Sequence, residues 1–287
     1  MGSNAQRFDS RQSMQNRQFE VFHYRDQKLD GLEIHHHDFY EVYLFLGGQV
    51  QFQVEGKTYL LEPGDLLLIS PQELHKPIIG QGSVYERMVL WIDRNYLNSL
   101  CTEETDLSAC FDPEMPGHTN LLRPGKVRSA QLQGLLESLT KEYYGAQMGS
   151  TICAKGLLMQ FLVEVNRLAG QTADKLRQEP DLMGQVIAYI GNHYQENLTL
   201  ETLAKQFYVS KFYLSHEFRA RVGISIHRYI IFRRLLQARD LMASGMSPGQ
   251  AFGSCGFGDY ANFYRAFKAE YGISPKEYAG RANKKTE

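Results

Sequence analysis

Three histidines and one glutamate in the N-terminal half of the chain have residue types and a spacing that can do chemistry. His35, His37 and Glu41 are separated by even numbers of residues, so an extended chain points all three side chains to one face, and His75 is placed to converge on them. Imidazole nitrogens and a carboxylate can hold a divalent transition metal. The same groups can instead hydrogen-bond an organic ligand, or satisfy one another inside a folded domain.

Aromatic residues accompany these four positions. They are Phe39, Tyr43, Phe45, Tyr85 and Trp91. Aromatic rings suit stacking on the apolar face of a sugar, while His and Glu side chains hydrogen-bond its hydroxyl groups. The pattern predicts a small-molecule site whose residues are His35, His37, Glu41, Tyr43, His75 and Trp91. The alternative is that at least half of the aromatic rings form an ordinary apolar core.

Short β-strands are predicted to position these residues. Val50, Phe52 and Val54 alternate with glutamines, which is the period of a half-buried strand. Further strands are predicted over residues 57–61, 66–69 and 86–91, and the Glu-Pro-Gly-Asp sequence at 62–65 predicts a turn. Short strands broken by Gly and Pro turns are typical of a small β-barrel.

One motif resembles the cupin barrel: His35-x-His37-x3-Glu41-x6-Gly48, followed by Pro63-Gly64 and His75. In the form found here, over residues 20–95, it resembles the effector-binding domain of AraC-type regulators. That resemblance implies a barrel that binds an effector without a catalytic metal, so no cofactor is expected. The alternative is a divalent metal held by His35, His37, Glu41 and His75.

Two helices are predicted after the barrel, over residues 127–144 and 151–168, with a loop at 145–150. Their apolar residues recur at helical spacing, which predicts an antiparallel pair packed beneath the barrel. By the same resemblance this pair forms a dimerisation surface. The alternative is that both apolar faces are buried within the chain.

Two segments near the C-terminus, 198–218 and 247–267, share one layout. Each predicts a short helix, a tight turn and an amphipathic helix, which is the pattern of a helix-turn-helix that presents its second helix to a DNA major groove. Ser210 and Asp259 are the predicted N-caps of these second helices. The residues predicted to face inward from them are Leu214, Phe218, Phe263 and Phe267.

A single helix over residues 226–244 is predicted to join the two units. At about 1.5 Å per residue it spans roughly 28 Å. Successive major-groove faces on one side of a duplex lie roughly 34 Å apart. The spacing therefore lets one chain read two adjacent groove segments.

A signature runs through residues 184–279. It consists of Leu200-x-x-Leu-Ala204, Ser210-x-x-Tyr-Leu-Ser215-x-x-Phe218, Gly223-x-Ser225, Arg233 or Arg234 with Ala238, Gly256-Phe257, Phe263-x-Arg265-x-Phe267-Lys268, Gly272-Ile-Ser-Pro275 and Tyr278. It resembles the DNA-binding domain of the AraC/XylS family of bacterial transcription regulators. The chain departs from the family pattern at Ala251-Phe252, where an Ile-Ala pair is usual, and at Pro248, where the family has an aliphatic residue.

The resemblance assigns DNA contacts to the outward faces of the two recognition helices. The predicted DNA-binding residues are Lys211, Phe212, Ser215, His216 and Arg219 in the first unit, and Tyr260, Ala261, Tyr264, Arg265 and Lys268 in the second. Arg265 is the foremost candidate for a base contact, because guanidinium can form two hydrogen bonds with guanine. Lys211, Arg219 and Lys268 are predicted to meet phosphates. Phe212 is either a contact residue or part of the core.

Charge is distributed unevenly between the two halves of the chain. Residues 180–287 hold 14 Lys and Arg against 9 Asp and Glu, and residues 1–179 hold 17 against 23. A basic half joined to an acidic half is expected when only one half meets phosphate. The four cysteines lack metal-ligand spacing, and no apolar run long enough to span a membrane and no signal peptide is present. The sequence therefore predicts a cytoplasmic protein with no membrane partner.

The expected fold class is α+β, with a cupin-like β-barrel and a helix pair followed by an all-α domain of two helix-turn-helix units joined by a linker helix. The predicted organisation is a flexible arm at 1–18, an effector-binding and dimerisation domain at 19–170, a linker at 171–181, a DNA-binding domain at 182–280 and a polar tail at 281–287.

The predicted function is sequence-specific transcription regulation, as an activator of sugar-utilisation genes that responds to a small molecule in the barrel. The implied partners are double-stranded DNA, a sugar or sugar derivative, a second copy of the chain and RNA polymerase. No nucleotide-binding loop or nucleophile–base signature is found in the sequence, so no enzyme activity is expected. Two alternatives remain: a cupin metalloprotein or metalloenzyme with an appended DNA-binding domain, and a regulator that needs no effector.

Overall fold

The computed structural model describes residues 13–27, 33–71, 73–80, 82, 84–113, 115, 117–173 and 181–283. The chain divides into two units, Met1–Glu179 and Pro180–Glu287. An antiparallel β-sheet domain with helices precedes an all-helical domain. The predicted α+β fold class is therefore confirmed.

Eight strands occur among the described residues of the first unit. They are β1 (Phe19–Asp26), β2 (Tyr40–Gly47), β3 (Val50–Val54), β4 (Lys57–Leu60), β5 (Leu66–Ile69), β6 (His75–Ile79), β7 (Tyr85–Ile92) and β8 (Leu121–Leu122). Five form a sheet in the order β1-β7-β2-β5-β8, and three form a sheet in the order β4-β3-β6. Each of the predicted strands is present, with bounds that differ by no more than one residue at either end.

The side-chain alternation of the five-stranded sheet separates two apolar cores. In β2, Val42 and Leu44 belong to a core shared with the helices, whereas Tyr43 and Phe45 belong to a core shared with the three-stranded sheet. The second core is the interior of the barrel and is rich in aromatic rings. The predicted effector residues are expected on this side of the five-stranded sheet.

Strand β1 was not among the predicted elements. It pairs with β7 along its whole length, from Phe19 opposite Ile92 to Asp26 opposite Tyr85. Its first four residues are buried on both faces of the strand, and the sequence there lacks the apolar–polar alternation that predicts a strand. The strand is formed by its pairing with β7.

The helix pair consists of α2 (Gly125–Tyr143) and α3 (Ser150–Ala173), preceded by a short α1 (Arg94–Leu100). Both helices pack on the outer face of the five-stranded sheet. Helix α3 continues to Ala173, beyond the predicted end at 168 and into the predicted linker at 171–181. Ala169 packs against the same core as the buried Leu168, so the helix continues past the predicted end. Residues 174–180 of that linker lie outside the described residues.

The predicted flexible arm at 1–18 is only partly described. Residues 1–12 lie outside the described residues. The backbone amides of Gln15 and Asn16 donate to the buried carboxylate of Glu20, and the Gln18 carbonyl accepts from the Asp93 amide at 2.9 Å. Residues 15–18 are therefore fixed to the barrel, which differs from the predicted free arm.

Seven helices occur among the described residues of the second unit. They are α4 (Leu182–His193), α5 (Leu200–Gln206), α6 (Lys211–Val222), α7 (Ile226–Ala243), α8 (Pro248–Ser254), α9 (Tyr260–Tyr271) and α10 (Pro275–Asn283). Helix α10 extends into the predicted polar tail at 281–287, of which residues 284–287 lie outside the described part. None of the helices in the described ranges combines the length and the hydropathy that a transmembrane span requires.

Candidate functional site

A buried carboxylate lies in the barrel interior. Glu41 is in β2, opposite Trp91 of the neighbouring β7, and its side chain is buried. Trp91 donates its Nε1–H to Glu41 Oε1 at 2.9 Å, and His37 Nε2 lies 3.2 Å from Glu41 Oε2. Burial opposes ionisation of this carboxyl, but the hydrogen bonds and positive charge offered by His37 outweigh it and lower the pKa of Glu41 below its ordinary value. Glu41 is therefore the buried anion of the site.

The tautomers of the three histidines follow from their backbone contacts. The Nδ1 atoms of His35, His37 and His75 lie 2.8–3.0 Å from the carbonyl oxygens of Glu33, Phe39 and Glu73, respectively. A carbonyl oxygen can only accept, so each Nδ1 carries a proton. Burial lowers the pKa of His35 and of His75, and in these neutral rings Nε2 is left as an acceptor. The Nε2 atom of His37 is instead used by its contact with the Glu41 carboxylate.

Two acceptors face each other in this arrangement. His75 Nε2 lies 3.5 Å from Glu41 Oε2, and no hydrogen-bond donor among the described residues reaches that nitrogen. Burial lowers the pKa of His75 well below its ordinary value, and the neighbouring histidines lower it further. The neutral imidazole and the carboxylate therefore need a group that donates to both.

The polar atoms left over in the barrel extend beyond His75. The hydroxyl oxygens of Tyr43 and Tyr85 are buried and have no hydrogen-bond partner in the described part of the chain. Burial raises the pKa of Tyr85, so its phenol keeps its proton and can donate. Buried polar atoms are usually paired, so three orphan atoms around one cavity indicate a place where a ligand supplies the missing hydrogen bonds.

The cavity that these groups surround is small. Its lining residues are Tyr24, His35, Glu41, Tyr43, Phe52, His75, Pro77, Tyr85, Arg87, Val89 and Trp91. Its volume is about 20 Å³, which is the room of a single water molecule. A ligand of sugar size must therefore displace side chains or strands on entry. Such a displacement would couple binding to a change of shape in the barrel.

The donor set also fits a divalent transition metal. One ligand atom each from His37, Glu41 and His75 lie within 4.8 Å of one another, and all three side chains are buried. Nitrogen and carboxylate donors of this kind suit such an ion. The backbone carbonyls that accept from Nδ1 would also orient the imidazoles for it.

Five of the six predicted effector residues line the cavity: His35, Glu41, Tyr43, His75 and Trp91. The sixth, His37, contacts Glu41 instead. The prediction rested on an extended chain from His35 to Glu41, whereas β2 begins at Tyr40 and His35 is brought in by an isolated bridge to His75. A long-range pairing therefore assembles part of the cluster.

Arg87 is a cavity residue that the sequence reasoning missed. Its side chain is almost fully buried, with its guanidinium carbon 4.8 Å from the centre of the Tyr24 ring and 4.1 Å from that of Tyr85. Asp26 accepts a hydrogen bond from it at 2.6 Å. Parity was the available signal, because Arg87 lies an even number of residues from Trp91 on the same strand and so points to the same face.

The second unit presents two recognition helices. The Ser210 side chain accepts from the Tyr213 amide at 3.2 Å and caps α6, and Asp259 accepts from the Asn262 amide at 2.9 Å and caps α9. The inward residues were predicted correctly: Leu214, Phe218, Phe263 and Phe267 are fully buried. Each short helix, turn and capped helix forms the predicted helix-turn-helix.

All ten residues predicted to contact DNA are exposed on α6 and α9. Phe212 is 80 % exposed, so the alternative that it belongs to the core is wrong. Arg265 donates to the Asn262 side-chain oxygen at 2.5 Å, one turn earlier on α9. Phe252, at the departure from the family pattern, is half-buried against the rings of Tyr260 and Phe263.

Comparison with protein families matches both units. Residues 20–162 match the AraC-like ligand binding domain, and residues 203–281 match a helix-turn-helix domain. The chain belongs to the AraC/XylS family of DNA-binding transcription regulators. The predicted family membership is confirmed, and with it the assignment of a ligand-binding and a DNA-binding part.

Curated relatives of this AraC/XylS-family chain agree over most of its length. The HTH-type transcriptional activator RhaS of Salmonella arizonae is 26 % identical over 254 residues, covering 85 % of this chain and 86 % of that protein. RhaS of Salmonella agona matches to the same extent. Among solved structures, Vibrio cholerae ToxT with a bound unsaturated fatty acid covers 93 % of this chain and 97 % of that chain, at 15 % identity and a TM-score of 0.40.

Proposed function

We propose that this AraC/XylS-family regulator is a transcription activator whose barrel binds a small polyhydroxylated molecule, a sugar or sugar derivative, and whose two recognition helices contact double-stranded DNA. The observation that carries the ligand class is the set of orphan polar atoms around one cavity: His75 Nε2, Tyr43 Oη and Tyr85 Oη. Sugar hydroxyl groups both donate and accept, so one ring can satisfy all three. Activation is supported by the relatives named as transcriptional activators.

The barrel acts in this proposal by binding rather than by catalysis. One ligand hydroxyl donates to His75 Nε2, and a second hydroxyl donates to Glu41 Oε2. Aromatic walls such as Phe52 and Trp91 cover the apolar face of the ring. Because the cavity has to enlarge, the ligand stabilises an expanded form of the barrel and shifts the population of the regulator toward it.

A thermal-shift screen of the purified protein against sugars, sugar acids and small aromatic compounds, with and without chelator, tests this proposal. We expect a polyhydroxylated compound to raise the melting temperature in the presence of chelator. The matched variant is Tyr43→Phe, which removes one unpaired buried hydroxyl and keeps the ring. It should melt at the same temperature as the wild type or higher, yet bind the compound more weakly, because an unpaired buried polar group does not stabilise the free protein.

A metal-binding barrel is the second candidate, favoured by the convergence of His37, Glu41 and His75. In that case these three residues hold a divalent ion, and a metalloprotein or metalloenzyme role follows. Metal present in stoichiometric amount after purification, with a melting temperature that falls on chelation, would support it. A compound that stabilises the protein equally with and without chelator would favour the metal-free barrel.

Two further partners complete the proposal. Exposed apolar residues on the helix pair, among them Val127 and Ile152 at 76 % exposure and Met159 at 42 %, offer a surface for a second copy of the chain. Sedimentation of the Ile152→Glu variant tests this, since a charge in such an interface shifts the protein toward monomer. RNA polymerase is the proposed partner on DNA, and transcription in vitro from a bound promoter tests it.

A further inference from the structure

The turn between α5 and α6 contains a residue whose type the fold does not explain. Helix α5 ends at Gln206, and Tyr208 has a φ of +56°. The Val209 amide donates to the Ala204 carbonyl at 3.0 Å and the Tyr208 amide to the Lys205 carbonyl at 3.3 Å, which is the Schellman pattern of a helix C-terminus. The left-handed position of this pattern favours glycine, because a Cβ crowds the carbonyl that follows it.

No contact with a described residue compensates for this conformation. The Tyr208 side chain is 96 % exposed. Glu55 is the other non-glycine residue with positive φ in the part of the chain that the structure describes, and its carboxylate accepts a hydrogen bond from the Leu74 amide at 2.9 Å. Tyr208 has no hydrogen bond or ring contact of its side chain to any described residue. A strained residue with an unused side chain indicates a role outside the folded chain.

The place of Tyr208 indicates what that role is. It lies two residues before Ser210, the N-cap of α6, and three and four residues before Lys211 and Phe212, which are exposed in the first turn of the helix. A recognition helix meets base edges with its N-terminal residues, so the turn before it lies at the rim of the groove, where the phosphates are. Tyr side chains are among those that bind phosphate oxygens.

We propose that the Tyr208 hydroxyl donates a hydrogen bond to a phosphate oxygen of the DNA backbone and fixes the register of the first helix-turn-helix unit. The inference rests on the DNA-binding function and assigns a positioning residue to it. The same place in the second unit is Gly256, with a φ of +77°, so that unit has no side chain for such a contact. The phosphate anchor therefore belongs to the first unit.

The test uses the full-length protein and a duplex that the wild type enriches from a random-sequence library, with an unselected duplex of equal length as reference. Tyr208→Phe keeps the ring and removes the hydroxyl, and Tyr208→Gly also relieves the backbone. We expect both variants to weaken binding to both duplexes by the same factor, at least about tenfold, which is the lower end for a hydrogen bond to a charged group. The salt dependence should stay unchanged because tyrosine carries no charge. Tyr208→Gly should melt no lower than the wild type.

Three outcomes would overturn the assignment. Wild-type affinity in Tyr208→Phe would reject the hydroxyl contact. Weaker binding of Tyr208→Gly together with a lower melting temperature would make the residue structural. Unchanged DNA binding with lost transcription would assign Tyr208 to a polymerase contact instead. Failure of the wild type to enrich any duplex is a separate result, which contradicts the DNA-binding function itself.

Discussion

The two helix-turn-helix units build the same turn under different constraints. In the second unit, a Cβ on Gly256 would lie 2.5 Å from the carbonyl oxygen of Gln195, so only glycine fits. In the first unit, Tyr208 takes the corresponding left-handed conformation with its side chain in solvent. Packing dictates the residue in one turn and leaves it open in the other. The open position is the one available for an external contact.

The recognition faces differ as well. Helix α6 exposes Phe212, Ser215 and His216. Of these side chains, only that of Phe212 is large and apolar. Helix α9 exposes Tyr264 and Arg265, whose guanidinium is already oriented by a neighbouring side chain. We therefore expect a directional base contact from the second unit. From the first unit we expect apolar and phosphate contacts beside those of Ser215 and His216.

The largest expected effect comes from Gly256→Ala. The new Cβ meets the backbone at Gln195, and the left-handed conformation adds strain, so we expect the free energy of unfolding to fall by about 3 kcal/mol. Gly272→Ala is the matched control, because Gly272 has a similar φ of +72° and nothing within 4 Å of the added atom. It should lose only about 1–2 kcal/mol. Chemical denaturation of both variants measures the difference, and equal losses would contradict the packing argument.

Arg265→Ala addresses the recognition face of the second unit. Loss of a bidentate base contact should cost about 1–3 kcal/mol of binding free energy on the selected duplex. It should also relax the preference at one base pair. Binding to a set of duplexes with single substitutions measures both. Asn262→Ala, which removes only the group that orients Arg265, should cost less and leave the base preference in place. Equal weakening on every duplex would show that Arg265 meets phosphate.

Phe212→Ala tests the apolar contact of the first unit. Because the ring is 80 % exposed, the free energy of unfolding should change by no more than about 0.5 kcal/mol. Affinity for the selected duplex should fall severalfold if the ring meets a thymine methyl group. Unchanged affinity for the selected duplex would contradict the proposed contact.

Lys211→Ala has the smallest expected effect at low salt. A phosphate contact by a charged side chain releases a counterion, so the salt slope of binding should decrease by about one. Lys211 also lies 3.4 Å from Glu201, an exposed pair that contributes little to stability. An unchanged slope would remove Lys211 from the interface.

The sequence predicts the helical unit more completely than the barrel interior. Caps such as Ser210 and Asp259 and buried pairs such as Leu214 and Phe218 are local signals, since a helix satisfies its own backbone within a few residues. Tyr208 was missed because a left-handed residue is expected to be glycine. Only the backbone reveals that a tyrosine occupies that position.

The barrel interior depends on partners that are distant in sequence. Glu41 meets Trp91 across two strands, and His35 is placed by its bridge to His75. The residue types around the cavity could be predicted from parity, but the orphan atoms and the small volume could not, because both depend on how the two sheets close. Arg87 is intermediate between these cases. The sequence predicts which face of the strand it occupies but does not predict that its side chain is buried.

Selection of duplexes by the full-length wild-type protein from a random-sequence library tests the account most directly. We expect two enriched motifs on one face of the duplex, about one helical turn apart. Substitutions on α6 should erase one motif and substitutions on α9 the other. Enrichment of a single motif that survives substitution on one of the helices, or no enrichment at all, would contradict the claim that one chain reads two adjacent groove segments.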